Sequence, residues 1–199
     1  MSRKNSNATS DLLRWSDAIN LLNKLERDNK WNMVTFILIS IFFGTRVGDT
    51  LQITWNQLLN DDLTPKAELI ILERKTKKIR KIQISNQLGR RIAECYNQIK
   101  PTKITDNILI SNKKTVFSIQ RLNVILKELK IIYKIDIQNF SCHSLRKCFA
   151  REIYDKGNKS EYMLLKLSII LNHSSIAHTR RYIGIQDVEI ADAYNLLTF

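Results

Sequence analysis

A His-Ser-Leu-Arg segment carries two side chains that could work together on a phosphate group. His143 and Arg146 are three residues apart, a spacing that places them on one face of a helix. Arg binds a phosphate through two parallel hydrogen bonds, and His exchanges a proton near neutral pH. Taken alone, so short a motif also fits a surface His beside a solvated Arg.

A second candidate, Arg46, follows Gly44 directly after a run of apolar residues. An Arg at the end of a buried helix can point into a cleft. It can instead pair with Asp49, which lies one helical turn later. The two interpretations are compatible, because Asp49 could hold Arg46 in position for a phosphate.

The third candidate is a basic segment in which six of eight residues are Lys or Arg: Arg74, Lys75, Lys77, Lys78, Arg80 and Lys81. Such a segment can bind a nucleic-acid backbone without doing any chemistry. It lies between two apolar runs, so it is predicted to form the tip of a β-hairpin.

The fourth candidate combines His173 with Tyr182, nine residues later, and with Arg180 and Arg181. A Tyr near a C-terminus is commonly a core residue with a hydrogen-bonded hydroxyl. Beside a His and two Arg side chains, it could instead attack a phosphodiester as a nucleophile.

The elements that must position these residues are mostly helical. The apolar periodicity and the capping residues predict one hairpin, Glu68 to Ile84, and the following helices: one capped by Ser16 or Asp17 and continuing through Leu25, Trp31 to Phe43, Arg46 to Ile53, Gln87 to Ile99, Gln120 to Ile132, Cys142 to Lys156, Tyr162 to Leu171, Ser175 to Tyr182, and Val188 to Leu197. The predicted fold class is mainly α with a small antiparallel β-hairpin, an α+β arrangement.

The charge balance points to a polyanionic partner. The 199 residues include 32 Lys and Arg against 19 Asp and Glu, a net charge of +13. The longest apolar run, Met33 to Phe43, is well short of the roughly 20 residues that span a bilayer, and the N-terminus lacks the apolar core of a signal peptide. We therefore expect a cytoplasmic protein without membrane contact.

No metal site is expected from the cysteines. The chain has three, without a Cys-x-x-Cys pair, as is typical of free thiols in a reducing compartment. Cys142, His143 and Cys148 together fit no common zinc-ligand spacing.

In this order, the motifs resemble the catalytic domain of tyrosine recombinases, the phage integrase family, from about Trp15 to the C-terminus. The resemblance implies that Arg46 and Arg146 clamp the scissile phosphate and that Asp49 supports the first of them. It implies that Lys75 is the general acid for the leaving 5′-oxygen and His143 the proton acceptor and donor. His173 would hydrogen-bond the phosphate, and Tyr182 would be the nucleophile.

The reaction implied is site-specific cleavage and rejoining of duplex DNA, of the integrase or invertase type. It passes through a 3′-phosphotyrosine and needs no metal, ATP or other cofactor. Two alternatives remain open. One is strand relaxation as in type IB topoisomerases, which usually lack a His at the position of His143. The other is a non-catalytic DNA-binding regulator of the same fold.

The resemblance also implies an organisation and partners. Residues 1–14 are expected to form a flexible segment and residues 15–199 the catalytic domain, without the N-terminal domain that most members carry. The free chain is expected to be a monomer in the nucleoid-containing cytoplasm and to form a homotetramer on synapsed DNA. An apolar C-terminal stripe would then dock on a neighbouring protomer: Ile185, Val188, Ala191, Tyr194 and Leu197.

The basic residues outside the catalytic set are expected to contact DNA: Arg74, Lys77, Lys78, Arg80, Lys81, Lys147, Arg180 and Arg181. Four positions depart from the usual pattern of the family. Phe43 stands where Thr is common before Gly44, and Asp49 is one methylene shorter than the usual Glu. Lys147 stands where His is frequent, and Asn172 replaces the common Gly before His173. Asn is less suited than Gly to a left-handed backbone, so this turn is where we expect the local structure to differ.

Overall fold

A computed structural model describes residues 10–111, 113–185 and 194–195. Within them the elements are α1 (Trp15–Arg27), α2 (Trp31–Phe43), α3 (Val47–Thr50), α4 (Trp55–Leu58), β1 (Glu68–Leu72), β2 (Ile79–Gln83), α5 (Asn86–Ile99), α6 (Ile119–Ile132), α7 (Cys142–Lys156), α8 (Glu161–Leu171) and α9 (Ile176–Tyr182). The predicted fold class is confirmed. Of the predicted C-terminal helix, Tyr194 and Asn195 are helical, and the other residues from 188 to 197 lie outside the described part.

Helix α2 forms the centre of the main core. Ten of its thirteen residues are buried, and it packs against α1, α5 and α7. This burial follows from its sequence, which is apolar on all sides and leaves no face suited to water. The helix ends at Gly44, which adopts a left-handed backbone with φ of 55°. The turn that follows brings Arg46 to the start of α3.

Two details of the predicted helices are corrected. Helix α1 begins at Trp15, so neither Ser16 nor Asp17 caps it. Asp17 lies in the first turn, where its carboxylate accepts a hydrogen bond from Arg14 Nε at 2.7 Å. Helix α4 was not predicted, because its four residues are too few to show a periodicity.

The antiparallel pair β1–β2 runs in register from Glu68 opposite Gln83 to Leu72 opposite Ile79. Leu69, Ile71 and Ile82 face the core. The loop between the strands closes on Glu73, whose N–H donates to the Lys78 carbonyl and whose carbonyl accepts from the Lys77 N–H, both at 2.9 Å. The hairpin is therefore confirmed, although Arg80 and Lys81 lie within β2 and not at its tip.

Helix α7 belongs to both cores of the molecule. Its first half, including Leu145, packs in the main core. Its second half, including Phe149, packs in a smaller core with residues of α8 and the segment after α9. Ser141 caps α7 and Ser175 caps α9. The His-Ser-Leu-Arg motif therefore lies where the two cores meet.

Two further observations concern location and chemistry. Among the described residues, the helices are all too short or too polar to cross a membrane. The three cysteines are buried free thiols, and burial raises the pKa of Cys142 and of Cys148 to about 12.

Candidate active site

The two arginines of the proposed clamp meet at one backbone carbonyl. The Leu171 oxygen, at the C-terminal end of α8, accepts from Arg46 Nη2 at 3.2 Å and from Arg146 Nη2 at 2.9 Å. Arg146 is 4% exposed, and its Nη1 donates to the Gly44 carbonyl at 2.7 Å. Burial lowers the pKa of Arg146, and the charge of Arg46 lowers it further. The helix end therefore holds two like charges side by side.

Asp49 does not pair with Arg46 among the described contacts, contrary to one interpretation of the sequence. Its Oδ1 instead accepts from the backbone N–H of Arg74 at 2.9 Å. Its Oδ2 is buried without a hydrogen-bond partner in the described part of the chain. Asp49 thus holds Arg74, the second residue after β1, and with it the loop that carries Lys75.

The partner of Arg46 is Glu73, which the sequence analysis missed. Its Oε2 accepts from Arg46 Nη1 at 3.0 Å and from Thr76 Oγ1 at 2.7 Å, and Arg80 Nη1 lies 3.7 Å from Oε1. Burial raises the pKa of Glu73, but Thr76 and the two arginines outweigh it, so the pKa is lowered overall. The sequence did contain a signal for Glu73. Side chains two residues apart lie on the same face of a strand, so Glu73 lies on the inward face with Leu69 and Ile71.

Arg80 differs from the other basic residues of the hairpin. It donates to the carbonyls of Phe43 at 2.5 Å and of Gly44 at 3.4 Å. Burial, followed by the charge of Arg146, lowers its pKa to about 10. Its guanidinium is thus largely engaged inside the protein, with 13% of the side chain exposed, and a DNA contact by Arg80 stays a prediction.

The remaining basic residues of the hairpin have exposed side chains: Arg74, Lys75, Lys77, Lys78 and Lys81. Lys78 Nζ lies 3.5 Å from Asn172 Oδ1, a contact that joins the loop to the end of α8. Lys75 is thus available to a bound molecule on the outer side of the loop.

His143 is the second residue of α7, one turn from Arg146, and is exposed. Partial desolvation by the surrounding protein lowers its pKa below 6.5, and the nearby charges of Arg146, Lys147 and Arg46 act in the same direction. The imidazole is therefore neutral near pH 7 and able to accept a proton.

His173 follows the end of α8 and is fixed from two sides. Its Nδ1 lies 3.0 Å from Thr179 Oγ1, and its ring stacks on His178 with centroids 4.4 Å apart. Burial lowers its pKa to about 4, and the neighbouring His178, Arg146 and Arg46 add to this effect. His173 is therefore also neutral near pH 7.

Tyr182, the last residue of α9, packs edge-on against His173 with ring centroids 5.0 Å apart. Its hydroxyl is buried and has no hydrogen-bond partner within the described residues. Burial raises its pKa, while Arg146 and Arg46 favour the phenolate and oppose that shift. The structure thus brings Arg46, Arg146, His173 and Tyr182 together at one end of α8.

Three further residues were predicted to contact DNA: Lys147, Arg180 and Arg181. Two of them have partners within the protein, and the third is exposed. Lys147 Nζ donates to the Ser10 carbonyl at 2.6 Å and lies 5.6 Å from the centre of the Tyr182 ring. Arg180 forms an ion pair with Glu161, and Arg181 is exposed. Lys147 therefore belongs to the surroundings of Tyr182.

Comparison with known proteins agrees with this geometry. The sequence profile described as the phage integrase family matches residues 12–189. The probable integrase/recombinase YoeC of Bacillus subtilis strain 168 is 30% identical over 178 residues, which are 88% of this chain and 87% of YoeC.

Solved structures show the same fold. The XerA recombinase superimposes with a TM-score of 0.70 at 18% identity, over 96% of this chain and 66% of XerA. A lambda integrase tetramer bound to a Holliday junction gives a TM-score of 0.63 at 16% identity, over 91% of this chain and 50% of that chain. The chain thus spans two thirds or less of these structures. The resemblance inferred from the motifs is confirmed: the chain has the catalytic-domain fold of tyrosine recombinases and belongs to the phage integrase family.

Proposed function

We propose that this protein is a site-specific recombinase that cleaves and rejoins duplex DNA through a 3′-phosphotyrosine, without metal or ATP. The observation that carries the proposal is the convergence of Arg46 and Arg146 on the Leu171 carbonyl, beside His173 and Tyr182. Few arrangements other than phosphate binding explain two guanidinium groups fixed next to a buried tyrosine hydroxyl.

The two arginines suit a phosphate that gains charge. Attack on a phosphodiester adds negative charge to the non-bridging oxygens in the transition state. Donors held in place beforehand stabilise that charge without reorganising during the reaction. Arg146 is held by the carbonyls of Gly44 and Leu171, and Arg46 by Glu73 and Leu171, so both groups are ordered before DNA binds.

The proton transfers can be assigned to the remaining residues. The Tyr182 oxygen forms the bond to phosphorus, and neutral His143 accepts the phenolic proton. The bond from phosphorus to the 5′-oxygen breaks, and Lys75 donates a proton to that oxygen. Rejoining is the reverse, with a 5′-hydroxyl as the nucleophile and Tyr182 as the leaving group.

Neutral His173 would donate a hydrogen bond to the phosphate. A neutral imidazole carries one N–H. If the Thr179 hydroxyl donates to Nδ1, at the 3.0 Å separation of these atoms, the proton resides on Nε2. Nε2 is then the nitrogen able to donate to a phosphate; if Thr179 instead donates to the Ser175 carbonyl, 3.4 Å away, the proton resides on Nδ1.

A covalent trapping experiment tests the proposal. A pool of nicked duplexes of randomised sequence is incubated with the protein in EDTA, and covalent protein–DNA adducts are captured under denaturing conditions. We expect adducts from the wild type and none from Tyr182→Phe. Equal, background-level capture from both would favour the non-catalytic DNA-binding regulator. A strict requirement for a divalent metal would contradict the mechanism.

The recovered sequence then separates recombination from relaxation. We expect strand exchange between two plasmids that each carry the recovered site. Relaxation of a supercoiled plasmid without exchange would favour the topoisomerase alternative.

We also propose duplex DNA as the partner, with a homotetramer assembled on synapsed sites. The charge of +13 and the exposed loop lysines support DNA binding. Support for exchange of the C-terminal segment comes from Tyr194 of its apolar stripe, which is 72% exposed. Ile185, the first residue of the stripe, is instead buried in the smaller core of its own chain, and Val188, Ala191 and Leu197 lie outside the described residues. Deleting residues 187–199 should weaken synapsis more than single-site binding in a gel-shift assay. Equal loss of both would contradict segment exchange.

A further inference from the structure

Glu73 lies where the phosphate clamp meets the loop that carries Lys75. We propose that Glu73 is a positioning residue that couples the two, so that Arg46 and Lys75 are placed together. This inference rests on the proposed function. Glu73 contacts neither a reacting atom nor DNA in the mechanism above, and it acts through its neighbours.

The carboxylate is almost completely buried, with 4% of the side chain exposed. A buried carboxylate is stable only if charge partners and hydrogen bonds replace the water it has lost. Arg46 and Thr76 provide them on Oε2, and Arg80 lies nearest to Oε1. One oxygen atom of Glu73 therefore contacts both the clamp and the loop.

The backbone of Glu73 fixes the same loop at its two ends. Its carbonyl accepts from Lys77 and its N–H donates to Lys78, while its side chain accepts from Thr76. Lys75 is adjacent to Thr76, so its backbone position depends on these contacts. Asp49 adds a fourth contact through the N–H of Arg74.

A purely structural role would make a different prediction. If Glu73 only neutralised Arg80 inside the fold, its loss would lower stability without a selective effect on either step of the reaction. Coupling predicts two separable defects, one in charge stabilisation through Arg46 and one in proton donation through Lys75.

The test compares two nicked substrates that carry the captured sequence. One has the natural 5′-oxygen at the scissile position, and the other has a bridging sulfur there. A thiolate leaves without a proton because its pKa is far below that of an alcohol, so the sulfur substrate does not need the general acid. The readout is the single-turnover rate of adduct formation, with DNA affinity measured by gel shift.

We expect Glu73→Gln to slow cleavage of the oxygen substrate by roughly 10- to 100-fold, less than the complete loss of a general acid, which is worth about 10²–10⁴-fold. The sulfur substrate should restore part of this rate and not all of it. The sulfur substrate should restore the cleavage rate of Lys75→Ala almost fully and that of Arg46→Lys hardly at all. The restoration of Glu73→Gln should lie between these two limits. DNA affinity should change by less than about twofold.

Glu68→Gln is the matched control, because it makes the same change at the other end of β1 and should leave both rates unchanged. Thr76→Val covers the case in which Glu73→Gln does not fold. It removes the contacts of the Thr76 hydroxyl with Glu73 and with the Lys78 N–H and keeps the ion pair of Glu73 with Arg46, so sulfur should restore its rate in full.

The coupling would be overturned if Glu73→Gln cleaved as fast as Glu68→Gln. It would also be overturned if the sulfur substrate restored the rate of Glu73→Gln completely, or not at all. For Thr76→Val, an unchanged rate or a defect that sulfur does not restore would do the same. Failure of the wild type to form an adduct with either substrate would instead overturn the proposed function itself.

Discussion

At the scale of single residues, burial and crowded positive charge set the protonation states of the site. The pKa values of His143 and His173 are both lowered, so neither imidazole adds a further cation beside the two arginines at neutral pH. The buried Tyr182 has a raised pKa and so needs a base to become a nucleophile. A neutral His143 is suited to that role.

Cleavage should therefore depend on pH through His143. The base must be unprotonated, and its pKa lies below the ordinary 6.5, so the rate should rise from acid with a midpoint below pH 6.5 and level off at higher pH. The measurement is single-turnover adduct formation between pH 5 and 8. His143→Gln should be slower and should lose this rise, whereas His178→Gln should keep it. A midpoint above pH 7 would contradict His143 as the base.

Some residues of the candidate site could be identified from the sequence, and others could not. The candidate residues Arg46, Arg146, His173 and Tyr182 were found because their types and order form a recognisable pattern, and the fold brings them together. Glu73 was missed and Arg80 was read as a DNA contact for one reason. Both lie in a basic, polar segment, although Glu73 alternates with the buried Ile71 and Arg80 with the buried Ile82, and the strand pairing confirms that their side chains lie on the inward face.

At the scale of elements, the ends of helices do the positioning. Gly44 ends α2 with φ of 55°, and an added Cβ there would overlap the Phe149 ring. Its carbonyl also holds Arg146 and Arg80. Asn172 ends α8 with φ of 51°, directly after the carbonyl that joins the two arginines. The Asn adopts the left-handed backbone for which Gly is the common residue.

Gly44→Ala should be strongly destabilising. The left-handed backbone costs a non-glycine residue about 1–2 kcal/mol, and the overlap with Phe149 adds about 1–3 kcal/mol. Urea unfolding should show a loss of at least about 2 kcal/mol, together with slower adduct formation. Gly48→Ala, where an added Cβ has no neighbour within 4 Å, is the control and should unfold near the wild-type midpoint.

At Asn172, unlike Gly44, a change of residue is expected to have little effect on stability when the new residue is Gly. Asn172→Gly should leave stability within about 0.5 kcal/mol of the wild type, because the backbone already has the conformation that Gly adopts freely. Asn172→Ala should cost about 1 kcal/mol, since Ala lacks the tolerance of Asn for this region. Thermal unfolding measures both. Equal losses for the two variants would show that the side-chain contact with Lys78 dominates.

Element boundaries were predicted less well than element types. The long helices α2, α5, α6 and α7 have clear apolar periodicity, and their positions follow from it. Helix α4 has only four residues, and α1 begins before the two residues that looked like caps. Tertiary packing accounts for α4, because Trp55 is fully buried. At the start of α1 the contact is local: Arg14, just outside the helix, pairs with Asp17 in its first turn.

At the scale of the whole molecule, the basic residues behind the net charge of +13 fall into a buried group and an exposed group. Arg80 and Arg146 are engaged with backbone carbonyls inside the protein, whereas most of the hairpin lysines are exposed. Only the exposed group can displace counterions from a DNA backbone. The composition showed the size of the excess but could not show this division, which depends on the fold.

Two neighbours in β2 test the division. Lys81→Ala should weaken binding to a mixed-sequence duplex and reduce the slope of log K against log salt by about 0.9. Arg80→Ala should leave that slope unchanged and should lower stability by about 2 kcal/mol or more, because Glu73 loses a buried partner. Filter binding across a salt series and urea unfolding give the two readouts. A reduced slope for Arg80→Ala would restore it to the DNA-contact set.

The clamp arginines and Arg80 rest on the carbonyls of Phe43, Gly44 and Leu171, which are main-chain atoms. No amino-acid substitution can delete a carbonyl oxygen. A saturation mutagenesis screen should therefore show strong selection on the arginines themselves and on the conformation of Gly44, whereas position 171, whose side chain is fully buried, should accept only apolar side chains of similar volume. The clamp is therefore held by the backbone at the ends of α2 and α8, and the side chain at position 171 serves the packing of the smaller core.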